Sequence, residues 1–149
     1  MASIQAFPAQ TQSTSRKVNN VVTEAMTISF SDKIMVTISQ AGRLSHWVHV
    51  PLATSSSNPM DPGPLLTMDT ENSLLPMTHL TATTVLGGTR QGDEVLGQTL
   101  ATTIASAILT KRPSEARLLI VGLGLENGAE SMAGRAEFEE LIGIILDVL

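Results

Sequence analysis

The stretch VTEAMTISFSDKIMVTISQAGRLSHWVHV, residues 22–50, decides the fold class. In its first nine residues Val22, Met26, Ile28 and Phe30 are large and apolar, whereas Thr23, Ala25, Thr27 and Ser29 are small or polar. A period of two marks a strand with one face in a core, and the large set is the expected core face. Ser31, Asp32 and Lys33 read as a turn. Ile34, Val36 and Ile38 then share one face of a second strand over residues 34–39. Residues 40–43 read as a hairpin loop in which Gly42 supplies a positive φ. Leu44–Val50 is the expected third strand of this meander.

Working outward, residues 1–15 are polar and poor in large apolar groups, which predicts a disordered tail before a single domain over 16–149. Beyond the meander, Pro51, Pro59, Pro62, Pro64 and Pro76 gather beside Ser55, Ser56, Ser57 and Asn58. That composition predicts a long loop over residues 51–78. His79–Leu86 is rich in β-branched residues and reads as a fourth strand, ended by Gly87 and Gly88. In Asp93–Lys111, Leu96, Leu100, Ile104 and Ile108 recur every four residues, the spacing of a helix stripe. Asp93 and Glu94 lie at its positive end and Lys111 and Arg112 at its negative end, as the macrodipole favours. The apolar run Arg117–Leu125 predicts a strand buried on both faces. Residues 135–148 place Phe138, Leu141, Ile142, Ile145 and Val148 on one stripe, opposite Glu137, Glu139 and Glu140.

Composition narrows the function classes. The chain has 149 residues and no cysteine, which excludes disulfides, thiol nucleophiles and thiolate zinc sites. Nine Lys+Arg against 14 Asp+Glu, with three Phe, one Trp and no Tyr, leave neither the basic stripe nor the stacking aromatics of a nucleic-acid binder. Charged residues make up 15% of the chain, below the usual quarter, so a partner is expected to cover part of the surface. No signal-peptide pattern or membrane-length apolar run is present. The expected location is the cytoplasm, and a chain this small also has access to the nucleus.

Three motifs invite a catalytic or cofactor reading and fail it. Gly87–Gly92 joins a strand to a helix, as a phosphate loop does, but Asp93 and Glu94 stand where Lys and Ser/Thr would be needed. A turn with a helix start is the better reading. Gly122, Gly124 and Gly128 imitate a dinucleotide fingerprint with the third glycine misplaced, and glycines in a strand more often mark close packing. His46 and His49 lie three apart on a strand and so point to opposite faces, which leaves them as ordinary surface or interface histidines. No catalytic, cofactor-binding or metal-ligating residue is assigned.

One feature remains. The second faces of the strands carry Met35, Thr37, Trp47, Thr83 and Val85, neutral and partly bulky, where a solvated sheet would show Lys and Glu. Two helices can cover only one face of such a sheet. The other face is expected to lie in a dimer interface or beneath the proline-rich loop.

The order of elements resembles the proteasome assembly chaperone 3 family, in a fungal form. The likeness is carried by residues 29–34 (SFSDKI), the second strand and its glycine turn at 40–43. It continues in Thr84–Gly87, the acidic helix start at Asp93 and Glu94, the Arg-Leu-Leu-Ile-Val strand at 117–121 and the C-terminal helix. The resemblance covers roughly residues 18–149 outside the loop. It implies an α+β protomer, with an antiparallel sheet of about six strands and two helices on one face. It further implies a dimer, with itself or with the related proteasome assembly chaperone 4, through facing sheets. The implied role is non-enzymatic and needs no cofactor, nucleic acid or membrane. The dimer would bind a proteasome α-type subunit, promote α-ring assembly of the 20S core particle and leave as β-type subunits join. The alternative reading is a roadblock- or longin-like scaffold subunit in trafficking or GTPase regulation. The meander before both helices argues against the roadblock form.

Overall fold

A computed structural model describes residues 10–18, 20–53, 80–126 and 135–149. The elements follow the order β1 (Gln10–Val18), β2 (Val21–Ser29), β3 (Lys33–Gln40), β4 (His46–Pro51), β5 (Thr83–Leu86), α1 (Gln91–Lys111), β6 (Leu118–Gly124) and α2 (Arg135–Val148). The strands form one six-stranded sheet in the order β1-β2-β3-β6-β4-β5. The α+β class and the two helices agree with the sequence reading, and the six strands agree with the number that the resemblance implies. Residues 10–15, expected in the tail, instead build most of β1, because they pair residue for residue with β2 from Gln10↔Ser29 onward. Residues 1–9 of the expected tail and 54–78 of the expected loop lie outside the described residues.

Two expectations are corrected by the sheet order. The sheet is mixed, because β6 runs parallel to β3 and antiparallel to β4. It follows that β3 and β4 are not hairpin partners, since β6 lies between them. The reason lies in composition: Leu118–Gly124 is the most apolar strand, and its place at the centre removes it best from water. The β3–β4 connection must then cross the end of β6. Ser45 donates its backbone N–H to the Leu123 carbonyl at 2.8 Å. A Cβ on Gly124 would lie 1.4 Å from the Arg43 carbonyl oxygen, so the crossing requires glycine there.

The register fixes the two faces. Thr27, Val36, Val121 and Val48 form one row across the sheet, and Ala25, Ile38, Leu123 and His46 form another. These rows lie beneath the helices, with Val36, Ile38, Val121 and Val48 fully buried. Helix α1 packs on β4, β5 and β6, while α2 packs on β1 and β2. Leu100, Ile104 and Ile108 of α1 meet Leu141, Ile144 and Ile145 of α2 in a single core. The helical stripes therefore stand as read, except that Leu96 and Phe138 are only partly buried.

The face assigned to β2 is reversed. Thr23 and Ala25 are fully buried, Thr27 is 9% exposed and Val22 is 57% exposed. Helix α2 supplies the bulk on this side, and the strand beneath it has room only for small side chains. The Gln40 amide donates to Thr23 Oγ1 at 3.0 Å and accepts from the Glu126 backbone N–H at 2.9 Å, whereas the buried Thr27 hydroxyl has no hydrogen-bond partner. At the far end of the sheet, Arg117 ties three segments together. Its guanidinium donates to Ser29 Oγ and the Phe30 carbonyl, each at 2.7 Å, and forks onto the Glu115 carboxylate. That fork holds the Glu115 carboxyl down to about 2.

Candidate interaction surface

The opposite face of the sheet is an apolar surface whose chemistry asks for a partner. Its first row runs Met26, Thr37, Gly122, Trp47 and Leu86, and its second runs Ile28, Met35, Ile120, His49 and Thr83. Met26, Ile28, Met35, Trp47, His49 and Ile120 are half-buried, Thr37 is buried and Leu86 is 65% exposed. Both rows lack charged residues. Charge appears only in flanking rows, at Glu24, Lys17 and Lys33. Helices α1 and α2 both lie on the other side, so among the described residues no helix covers these rows. Apolar area at such a site gains free energy when a second surface removes it from water, at about 25 cal/mol per Å².

Trp47 stands on β4, beside the edge strand β5, and its ring reaches over the neighbouring strand β6. Gly122 has no side chain, and the indole occupies the space above it: a Cβ there would come within 2.8 Å of the Trp47 ring. The ring thus lies low on the sheet and leaves a surface on which a flat partner can pack. Met26 of β2 and Met35 of β3 add flexible, polarizable side chains to the same face, which adapt to an opposing surface.

Of the expected interface residues, Met35, Thr37 and Trp47 lie together in the central rows, and Thr83 joins them through its pairing with His49. Val85 is 60% exposed at the register shift between Trp47 and Val48, outside the regular rows. Met26, Ile28, Ile120, His49 and Leu86 belong to the same face, beyond the residues expected there from sequence. For Met26 and Ile28 the cause is the reversed phase of β2. The signal that finds them is cross-strand pairing with Thr37 and Met35, which requires the register and not one strand's periodicity.

The motifs set aside from sequence have structural explanations. Gly87 and Gly88 adopt φ of +77° and +63°, and a Cβ on either would strike Ser45 or His46. His46 points into the helix side and His49 to the open face, as strand parity requires. His46 is not a surface residue, however, since it is 5% exposed with Nε2 at 3.2 Å from Thr84 Oγ1. Burial pushes its pKa down, against the opposing pull of Asp93 and Glu94. Among the described residues there is no cluster of three His, Asp or Glu placed to hold a metal ion, and no helix long and apolar enough to cross a membrane.

No protein-family model and no curated protein matches the sequence. The fold is similar to a solved structure, the crystal structure of a novel chaperone complex for yeast 20S proteasome assembly. The two superpose with a TM-score of 0.51 over 93% of each chain, at 16% sequence identity. At that identity the likeness concerns the fold.

Proposed function

We propose that this chain is a proteasome assembly chaperone that acts by binding and not by catalysis. The observation that carries the reading is the charge-free apolar sheet face around Trp47, present on a fold shared with a chaperone complex for 20S proteasome assembly. In this reading the face is the dimer interface, with a second copy or the related proteasome assembly chaperone 4 as the partner. The dimer holds a proteasome α-type subunit while the α-ring assembles and departs as β-type subunits join. It works in the cytoplasm, with access to the nucleus.

The test is affinity capture of the full chain from its native cell, followed by mass spectrometry. The reading expects α-type subunits without the full complement of β-type subunits, together with a chaperone of similar size. Capture of GTPases or membrane-tethering subunits, with no proteasome subunit, would replace it with the trafficking-scaffold reading.

A further inference from the structure

The two edges of the sheet are unlike. At one edge β5 has four residues and a register shift. At the other, β1 has nine residues, pairs with β2 without a shift, and contains neither proline nor glycine. Among the described residues, no backbone hydrogen bond reaches β1 from its outer side. Long edges are normally blunted by bulges, prolines or charges, lysine above all, because their free N–H and C=O groups template further pairing; in β1 such charges stand only near its C-terminal end. The only charges on β1 are Arg16, whose guanidinium is ion-paired with Asp147 of α2, and Lys17.

We propose that β1 pairs antiparallel with β1 of a second copy of this chain, about a two-fold axis at Thr14, joining the two sheets edge to edge. The sequence of the strand selects this occupant and this register. With Thr14 at the axis, Ser13 faces Ser15, Gln12 faces Arg16, Thr11 faces Lys17 and Gln10 faces Val18. Every charge meets a neutral residue, and hydroxyl faces hydroxyl on both sides of the centre, a favourable cross-strand pairing. The two Arg16 residues stand four positions apart along the strands, about 14 Å, beyond the screening length of roughly 8–10 Å. Moving the axis to Arg16 or Lys17 would set like charges directly opposite.

The ladder supports the same register. β1 and β2 are joined across two residues, with Val18 opposite Val21 and Asn20 left-handed at φ 65°, the geometry of a tight hairpin. Its closing pair exchanges both hydrogen bonds, so counting back by twos turns Arg16, Thr14 and Gln12 inward to β2. Lys17, Ser15, Ser13 and Thr11 are left with outward N–H and C=O groups. The proposed register matches each of these four with another of the four, giving about eight backbone hydrogen bonds. A two-fold axis normal to the sheet keeps the helices of both copies on one side and brings their open faces onto the other as one continuous surface. This edge contact is separate from face-to-face packing around Trp47, and either can exist without the other.

Sedimentation over a wide concentration range tests the proposal in the full chain. Trp47→Glu removes face-to-face packing. In that background the chain should still form a concentration-dependent dimer, and adding Ser15→Pro should weaken it at least tenfold. Proline there deletes only an outward N–H, which edge strands tolerate. A Trp47→Glu chain that is monomeric at every concentration, or a dimer indifferent to Ser15→Pro, overturns the proposal. Amide hydrogen exchange of the unmutated chain decides the matter if a variant fails to fold. Ser13 and Ser15 should gain protection as concentration rises. Exchange independent of concentration, or protected only after another protein is added, refutes self-pairing.

Discussion

The Trp47 indole occupies the space that a side chain at residue 122 would need, with Cζ3 2.8 Å and Cη2 2.9 Å from the position of a Gly122 Cβ. Gly124, two residues along the same strand, faces the carbonyl oxygen of Arg43 at 1.4 Å from its own missing Cβ. The two glycines therefore differ in what would have to move. Gly122→Ala displaces the end of a side chain on an open face, and its stability cost should fall below the ~1–3 kcal/mol of ordinary overpacking. It should nevertheless change the Trp47 fluorescence. Gly124→Ala pushes on backbone, and its cost should reach or exceed that range. Equal melting temperatures for the two variants would contradict this arrangement.

Trp47→Glu tests whether the open face is an interface. A large ring on an apolar patch is a common binding hot spot. A carboxylate in its place should cost several kcal/mol of association once desolvated. Because the site is a surface of the protomer, the variant should keep its circular dichroism and lose the partner packed on that face, while edge pairing through β1 is unaffected. Unchanged sedimentation beside the unmutated chain, with proteasome subunits still captured, would move the interface elsewhere.

The elements were largely legible in sequence because each carries a local period. The 3.6-residue stripe of Leu100, Ile104 and Ile108, like the alternation of Ile34, Val36 and Ile38, is local information. Three features were not local. The insertion of β6 between β3 and β4 is a choice among possible neighbours that no single strand encodes. The phase of β2 depends on α2 providing the bulk above Thr23 and Ala25, so the larger residues of the strand face outward. The strand at Gln10–Val18 has only Val18 in the core, and it is a strand because β2 offers it a ladder. The same limits apply to the interaction face. Met35, Thr37 and Trp47 could be read from sequence, but Ile120 and Met26 join them only through register.

Acid should loosen the clamp between Arg117 and the β2–β3 turn. The Glu115 carboxyl is lowered to about 2, first by its side-chain hydrogen bonds to Arg117 and further by the Arg117 backbone N–H. Its folded value lies below the unfolded one near 4.5, so its contribution to stability is fully present above about pH 4.5. That contribution declines as pH falls through this window toward 2. Glu115→Gln should lose about 1.5–3 kcal/mol at neutral pH, the range for hydrogen bonds to a charged partner. The gap between variant and parent should narrow on acidification. Denaturant melts at pH 7, 4 and 2.5 measure it, and a gap that widens in acid would rule the clamp out.

Helix α2 should divide into residues that hold the core and residues that do not. Leu141 is fully buried, and Leu141→Ala should cost about 2–5 kcal/mol. Phe138 is only partly buried, so Phe138→Ala should cost less than the ~3–5 kcal/mol of an enclosed ring. Glu139 accepts from Arg135 Nε at 2.7 Å in an exposed pair one turn apart. Removing it should cost about 0.3–0.5 kcal/mol and less in high salt. Thermal denaturation ranks the three, and a Glu139→Ala loss as large as that of Leu141→Ala would mean the helix is packed on its other side.

A pair of helical glycines tests the packing of His46 against α1. Replacing glycine with alanine inside a helix ordinarily stabilises by roughly 0.5–1 kcal/mol, because glycine loses more backbone freedom on folding. Gly143 of α2 has open space where a Cβ would stand, so Gly143→Ala should show that gain. At Gly97 of α1 the same Cβ would lie 2.2 Å from Cε1 of His46, a ring enclosed by α1, Gly88 and Thr84. The sign should therefore reverse, and Gly97→Ala should destabilise the protein despite its better helix propensity. Removing the ring removes the obstacle, so Gly97→Ala should become neutral or favourable in a His46→Ala background. Such a coupling between the two positions, read from a double-mutant cycle, should exceed 0.5 kcal/mol, as expected for residues in contact. Additive effects would mean that α1 does not rest on this imidazole.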